Sequence, residues 1–113
     1  MPSFDPSHPL DGISLLLVED DDIARRTAAI VLRGLGGTML ESVADGDAFA
    51  LRCRVGLAGL VVLTDLQMPG AHPVDTLLAV PAEQRPRGVI ILSGDTGLSV
   101  LSQRDRLREA GVP

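Results

Sequence analysis

Three acids follow directly on apolar runs. Glu19 and Asp20 come straight after residues 13–18 (ISLLLV), and Asp65 comes straight after residues 60–64 (LVVLT). A hydroxyl, Ser93, follows a third run, residues 88–92 (GVIIL). Carboxylates brought to one place by separate strands either share a proton or attract a hard cation. Within ~5 Å of each other, each ionised pair is unfavourable by about 3 kcal/mol at an effective dielectric of ~20. Three pairs approach ~10 kcal/mol, the scale of a whole domain's stability. So the acids stand farther apart, or one is protonated, or a cation lies among them. Oxygen ligands with water completing an octahedron favour Mg2+ or Mn2+.

The elements that must position these groups alternate along the chain. Residues 13–18 are apolar without alternation, as in a strand covered on both faces. Asp21 or Asp22 can cap the helix that follows, by accepting from an exposed backbone N–H. Ile23, Thr27, Ile30 and Val31 fall at the i, i+4, i+7, i+8 spacing of one helix face. Gly34, Gly36 and Gly37 end that helix. Residues 38–43 predict a second strand. Asp45 can cap a second helix, on which Ala48, Leu51 and Val55 share a face. Residues 60–64 are the third strand. Met68-Pro69-Gly70 then turns the chain, and VDTLLAV (74–80) is a short third helix stopped by Pro81. Residues 81–88 are a loop and 88–92 a fourth strand. A Gly-rich turn leads to a fourth helix over 98–110, closed by Gly111. The order βαβαβαβα predicts an α/β fold, an open parallel sheet with helices on both faces. In such a sheet all strand C-termini line one edge, and ligands bind beyond it. Glu19, Asp20, Asp65 and Ser93 all fall on that edge.

The 113 residues suit one domain with a single core. With only Phe4 and Phe49 as aromatics, that core must be aliphatic. The net charge of −5 argues against nucleic acid as a partner, and all 10 basic residues are Arg. The single Cys53 excludes an internal disulfide and fits a reducing compartment. Residues 1–12, rich in Pro, Ser, Asp and Gly, read as a flexible leader, with the domain over 13–113. The leader has neither the positive start nor the apolar stretch of a signal peptide. No apolar run approaches the ~18 residues of a membrane span, so a soluble, cytoplasmic chain with no membrane partner is expected.

The pieces LLLVEDD (15–21), VVLTDLQMPG (61–70), VIILSG (89–94) and REAG (108–111) resemble, in this order, the receiver domains of two-component response regulators. The resemblance covers most of the chain. It implies a flavodoxin/CheY-like sheet with strand order 2-1-3-4. It implies Asp65 as phosphoryl acceptor, with Glu19, Asp20, Asp65 and the backbone carbonyl of Gln67 holding Mg2+ (or Mn2+). Pro69 and Gly70 would turn the backbone so that this carbonyl faces the metal. Ser93 would hydrogen-bond the phosphoryl group. The implied partner is a sensor histidine kinase or a histidine phosphotransfer protein. Any activity of the chain itself would be self-phosphorylation and autodephosphorylation on Asp65.

The family continues after AG with a fifth strand ending in Lys-Pro and a fifth helix. Here Val112-Pro113 follow, and no Lys occurs. The expectation is a sheet without the usual fifth strand and helix. Its fourth strand would be a bare edge through which a homodimer can form. The alternative function is a degenerate receiver that binds partners independently of phosphorylation. An aspartate-nucleophile phosphatase fits poorly, because Leu66-Gln67 supplies no second acid after Asp65. Neither a P-loop nor Gly-x-Gly-x-x-Gly occurs. Gln67 and Asp95 fall where family members vary residues that tune phosphoryl lifetime. His72 reads as an exposed loop residue, and Cys53 as a core or helix-face residue. Arg25 and Arg26 can meet an acidic partner helix, though a solvated face suits them as well.

Overall fold

Leu15, Leu16, Leu17 and Val18 are all buried, which explains why the first run does not alternate. They form β1 (Ser14–Val18), one of two inner strands of a parallel sheet in a computed structural model that describes residues 9–37, 39–92 and 98–111. The other elements are α1 (Asp22–Gly34), β2 (Met39–Val43), α2 (Gly46–Cys53), β3 (Leu60–Thr64), α3 (Pro73–Ala79), β4 (Gly88–Ile91) and α4 (Leu98–Glu109). A 3-10 turn, Ala82–Gln84, interrupts the loop before β4. The sheet order is β2-β1-β3-β4, with every neighbouring pair parallel. Val18 is in register with both Val43 and Thr64, so β1, β2 and β3 end level with one another.

The core lies in two layers. On one sheet face Leu16, Val18 and Val62 meet Phe49 and Cys53 of α2, Val74 and Leu77 of α3, and Leu107 of α4. On the other face Leu15, Leu17 and Leu63 meet Leu32 of α1, with Leu10 and Ala28 at the margin. Leu10 is also tied by its N–H to the carbonyl of Leu35, 2.9 Å away. Packing therefore begins within the segment read as a leader, of which residues 1–8 lie outside the described residues.

Local chemistry sets the helix ends. Asp21 caps α1 by accepting from Ile23 and Ala24 N–H at 2.9 and 3.2 Å. Asp45 caps α2 through Ala48 N–H at 2.7 Å. Pro73 opens α3 with its fixed φ, and Val80 leaves the helix before Pro81. Gly37 lies where a Cβ would come within 2.8 Å of Leu15 and 2.9 Å of the Leu32 carbonyl, so the turn after α1 sits hard against β1.

Two helix faces differ from expectation. The stripe Ile23, Thr27, Ile30 and Val31 points to solvent, with Ile23 77% and Ile30 71% exposed. The helix packs through Ala28 and Leu32, on roughly the opposite side at 3.6 residues per turn. The bulky residues mark a second stripe with no element beside it among the described residues. On α2, Phe49 and Cys53 are buried, whereas Leu51 is 63% exposed. Val55 lies past the end of that helix and is also exposed. Spacing alone admits either stripe, and the sheet's position chooses between them.

Candidate acidic site at the strand ends

The parallel ladder runs one step beyond the strands. Glu19 N–H donates to the Val43 carbonyl at 3.2 Å, and Asp65 N–H donates to the Val18 carbonyl at 3.1 Å. Each acid is thus held by its backbone beside the neighbouring strand. Carboxylate oxygens of Glu19, Asp20 and Asp65 lie within 4.8 Å of one another. Glu19 is buried, Asp65 half-buried and Asp20 exposed, so the cluster has a closed side and an open side.

Glu19 and Asp65 are also oriented by hydrogen bonds. Glu19 Oε1 accepts from Asp21 N–H at 3.1 Å. Asp65 Oδ1 accepts from Gln67 N–H, also at 3.1 Å. Thr64 is fully buried, and its hydroxyl donates to the Asp65 carbonyl at 2.7 Å. Arg25 donates from Nη1 to the Glu19 carbonyl at 3.1 Å, and from Nη2 to Asp22 at 2.6 Å. Nearby Arg26 also pairs with Asp22.

The electrostatics follow from this placement. Burial pushes the Glu19 carboxyl above its usual range. The hydrogen bond from Asp21 opposes that rise, while the charges of Asp65 and Asp20 add to it. Separation does not relieve the repulsion, since the three acids are together. Proton uptake at Glu19 or a divalent cation would. The donor set is all carboxylate oxygen on three residues, with room for solvent on the Asp20 side. That chemistry fits Mg2+, which keeps several waters and uses few protein carboxylates.

Glu19, Asp20 and Asp65, singled out in the sequence, are the residues that come together. Gln67 stands beside them with its N–H on Asp65, and its side chain is exposed. Ser93 and Asp95 lie outside the described residues. The described chain does reach Leu92, whose N–H donates to the Thr64 carbonyl at 2.8 Å, one residue short of Ser93. The roles of Thr64 and Arg25 were not foreseen. Thr64 was legible only as a hydroxyl residue inside an apolar run. His72 is half-buried and caps α3, accepting from Val74 N–H on Nδ1 at 3.2 Å. Its position before a proline at a helix start was the signal. Arg25 is half-buried against Glu19 and Asp22, while Arg26 is exposed.

Among the described residues the cluster is open to solvent at Asp20. A groove of about 410 Å³ lies between α2 and α3, lined by Cys53, Thr76 and Val80 among others, and no acid lines it. Among the described residues no helix is long and apolar enough to cross a membrane.

No family model matches the chain. Over 98 residues it is 31% identical to the chemotaxis protein CheY of Pseudomonas aeruginosa, covering 87% of this chain and 75% of that protein. It superposes on the receiver domain of the histidine kinase CKI1 from Arabidopsis thaliana, a structure complexed with Mg2+, with a TM-score of 0.73. That likeness has 22% identity and covers 94% of this chain and 83% of the other. The co-crystal structure of the Saccharomyces cerevisiae histidine phosphotransfer protein Ypd1 and the receiver domain of its response regulator Ssk1 also matches, with a TM-score of 0.64 and 18% identity. There the match covers 89% of this chain and 74% of the other. At these identities the two structures show the shared fold.

Proposed function

The chain belongs to the receiver-domain family of two-component response regulators, and on that premise we propose that Asp65 accepts a phosphoryl group from a histidine kinase or a histidine phosphotransfer protein. The observation that carries this is the convergence of Glu19, Asp20 and Asp65 within 4.8 Å at the strand C-terminal edge. A chain serving only as a binding module has no need to gather three acids against their mutual repulsion. The Mg2+ complex of the CKI1 receiver and the Ypd1–Ssk1 complex support the same reading by likeness of fold.

In this proposal the ionised Asp65 is the nucleophile, and a carboxylate needs no general base. One of its oxygens attacks phosphorus as the bond from phosphorus to the donor's imidazole nitrogen breaks. The nitrogen leaves with the electron pair, and an acyl phosphate remains on Asp65. Hydrolysis later returns the carboxylate and inorganic phosphate. Glu19 and Asp20, with Asp65 and the Gln67 backbone carbonyl, would hold Mg2+. When bound, that ion offsets the charge of the phosphoryl oxygens and the carboxylates. The Thr64 hydroxyl and the Val18 carbonyl fix the Asp65 backbone. Ser93, next after Leu92, would hydrogen-bond the transferred group.

Incubation with Mg2+ and acetyl phosphate tests the reading directly. One phosphoryl group should appear in the intact mass and vanish in Asp65→Asn. Beryllofluoride with Mg2+ should saturate amide shifts around residues 19–20 and 65–67. A wild-type chain that neither binds Mg2+ nor takes the phosphoryl group would refute the proposal and leave a phosphorylation-independent binding module.

A further inference from the structure

The loop that follows Asp65 is fastened to a helix the acids do not touch. Gly46 N–H donates to the Pro69 carbonyl at 3.0 Å, and Asp47 Oδ1 accepts from Ala71 N–H at 3.0 Å. The two backbones also approach closely. A Cβ at Gly46 would lie 1.8 Å from the Ala71 carbonyl oxygen, and one at Gly70 would lie 2.8 Å from Asp47 Cγ. Gly70 also has φ +88, which only glycine adopts freely. Both chains are therefore glycine where they cross. The helix end that carries Gly46 and Asp47 is itself fixed, because Asp45 caps it.

The same loop is anchored at its start, where Gln67 N–H donates to Asp65 Oδ1. Leu66 and Met68 pack against the core between the two anchors. Residues 65–71 are thus pinned at Asp65 and Gln67 and again at Pro69 and Ala71. The Gln67 backbone lies between these pins.

We propose that Asp47 is a positioning residue for the cation site: through Ala71 N–H it holds the loop after β3, and so sets where Asp65 and Gln67 present their oxygens. This rests on the reading of the acidic cluster as a Mg2+ site. Asp47 is no member of the cluster, and its action passes through the loop backbone. Removing its acceptor leaves Ala71 N–H without this partner, so that the far end of the loop keeps only the bond from Gly46 N–H to the Pro69 carbonyl. Supporting groups around a metal site shift affinity by ~10–100-fold when they touch the ligands themselves. One acting through six residues of loop is expected to do less, about threefold to tenfold.

The test uses the full chain and Mg2+ alone, titrated by amide NMR, with Ala71 amide exchange measured in the absence of Mg2+. Asp47→Ala should weaken Mg2+ binding about threefold to tenfold and speed exchange at Ala71. Asp47→Asn keeps Oδ1 as an acceptor and should restore both to within about twofold. Asp47→Ser, a shorter acceptor, should fall between them and serves in place of Asp47→Ala if that variant does not fold. Wild-type affinity in Asp47→Ala overturns the proposal. Equal loss in Asp47→Ala and Asp47→Asn also overturns it, since the cause is then charge and not position. A wild-type chain that binds no Mg2+ removes this inference together with the function it rests on, whereas loss confined to Asp65→Asn removes this inference alone.

Discussion

On one face of the sheet three helices enclose Leu16, Val18 and Val62; on the other, among the described residues, α1 is the single helix over Leu15, Leu17 and Leu63. The central strand is equally dry on both sides, with Leu16 and Leu17 both at 0% exposure. The difference lies in what surrounds it. Toward α1, Ile23, Ile30 and Val31 remain exposed on the helix, and Ile90 of β4, paired with Leu63, is 49% exposed. One helix suffices to dry the middle of a four-stranded sheet but not its flank. Apolar content alone therefore does not mark the load-carrying side of an element.

Substitutions on the two faces should separate by their energies. Phe49→Ala removes a fully buried ring from the three-helix side and should destabilise by about 3–5 kcal/mol in urea unfolding. Ile30→Ala on the open side should change stability by less than about 0.5 kcal/mol. A large loss from Ile30→Ala would break the comparison, because it would mean that the outer stripe of α1 is covered in solution. Concentration-dependent unfolding would then point to a second copy of the chain on that stripe.

Cys53 sharpens the contrast through pH. Burial on the three-helix side pushes its thiol from an ordinary 9.0 up to about 11. The unfolded chain ionises first, so stability should be unaffected below pH 9 and fall as pH rises from 9 to about 11. At pH 8 iodoacetamide should label the folded chain far more slowly than the urea-unfolded chain. Equal labelling rates would show that the α2 side opens readily.

Smaller effects come from ion pairs at the rim. Arg52 on α2 reaches Glu41 on β2 at 2.7 Å and donates to the Gly56 carbonyl at 2.9 Å. The Arg52 hydrogen bond holds the Glu41 carboxyl below its usual range. The stability from this pair is present above the ordinary carboxylate pKa and is lost as pH falls through the lowered one. Arg52→Ala should cost about 1 kcal/mol near neutral pH, through the pair and the carbonyl contact together. Asp75→Asn, which frees Arg106 on α4, should cost no more than about 0.5 kcal/mol and show no effect in high salt.

Much of this was legible in the chain. Strand β3 has the predicted ends, and the acids of the site were named from their place after apolar runs. Such runs report strands well, because a strand buried on both faces leaves no other arrangement for its side chains. On α1 the sequence singled out the stripe of Ile23, Thr27, Ile30 and Val31, although Ala28 and Leu32, which meet the sheet, have helical spacing too. Nothing local says which one meets the sheet. The Asp47 clamp was illegible for another reason. It joins residues 24 apart through a backbone N–H, which leaves no trace in side-chain pattern. Gly70 was legible only as part of the turn after β3, and Gly46 carried no reading at all.

The level ending of β1 and β3 works as a gauge. Val18 faces Thr64 across the ladder, so the first residues beyond them carry acids at matched height. Lengthening either strand by one residue would slide one acid by ~3.3 Å and turn it to the other side of the sheet. Helices and connecting turns carry no such constraint, whereas the matched ends of these two five-residue strands set where Glu19 and Asp65 meet.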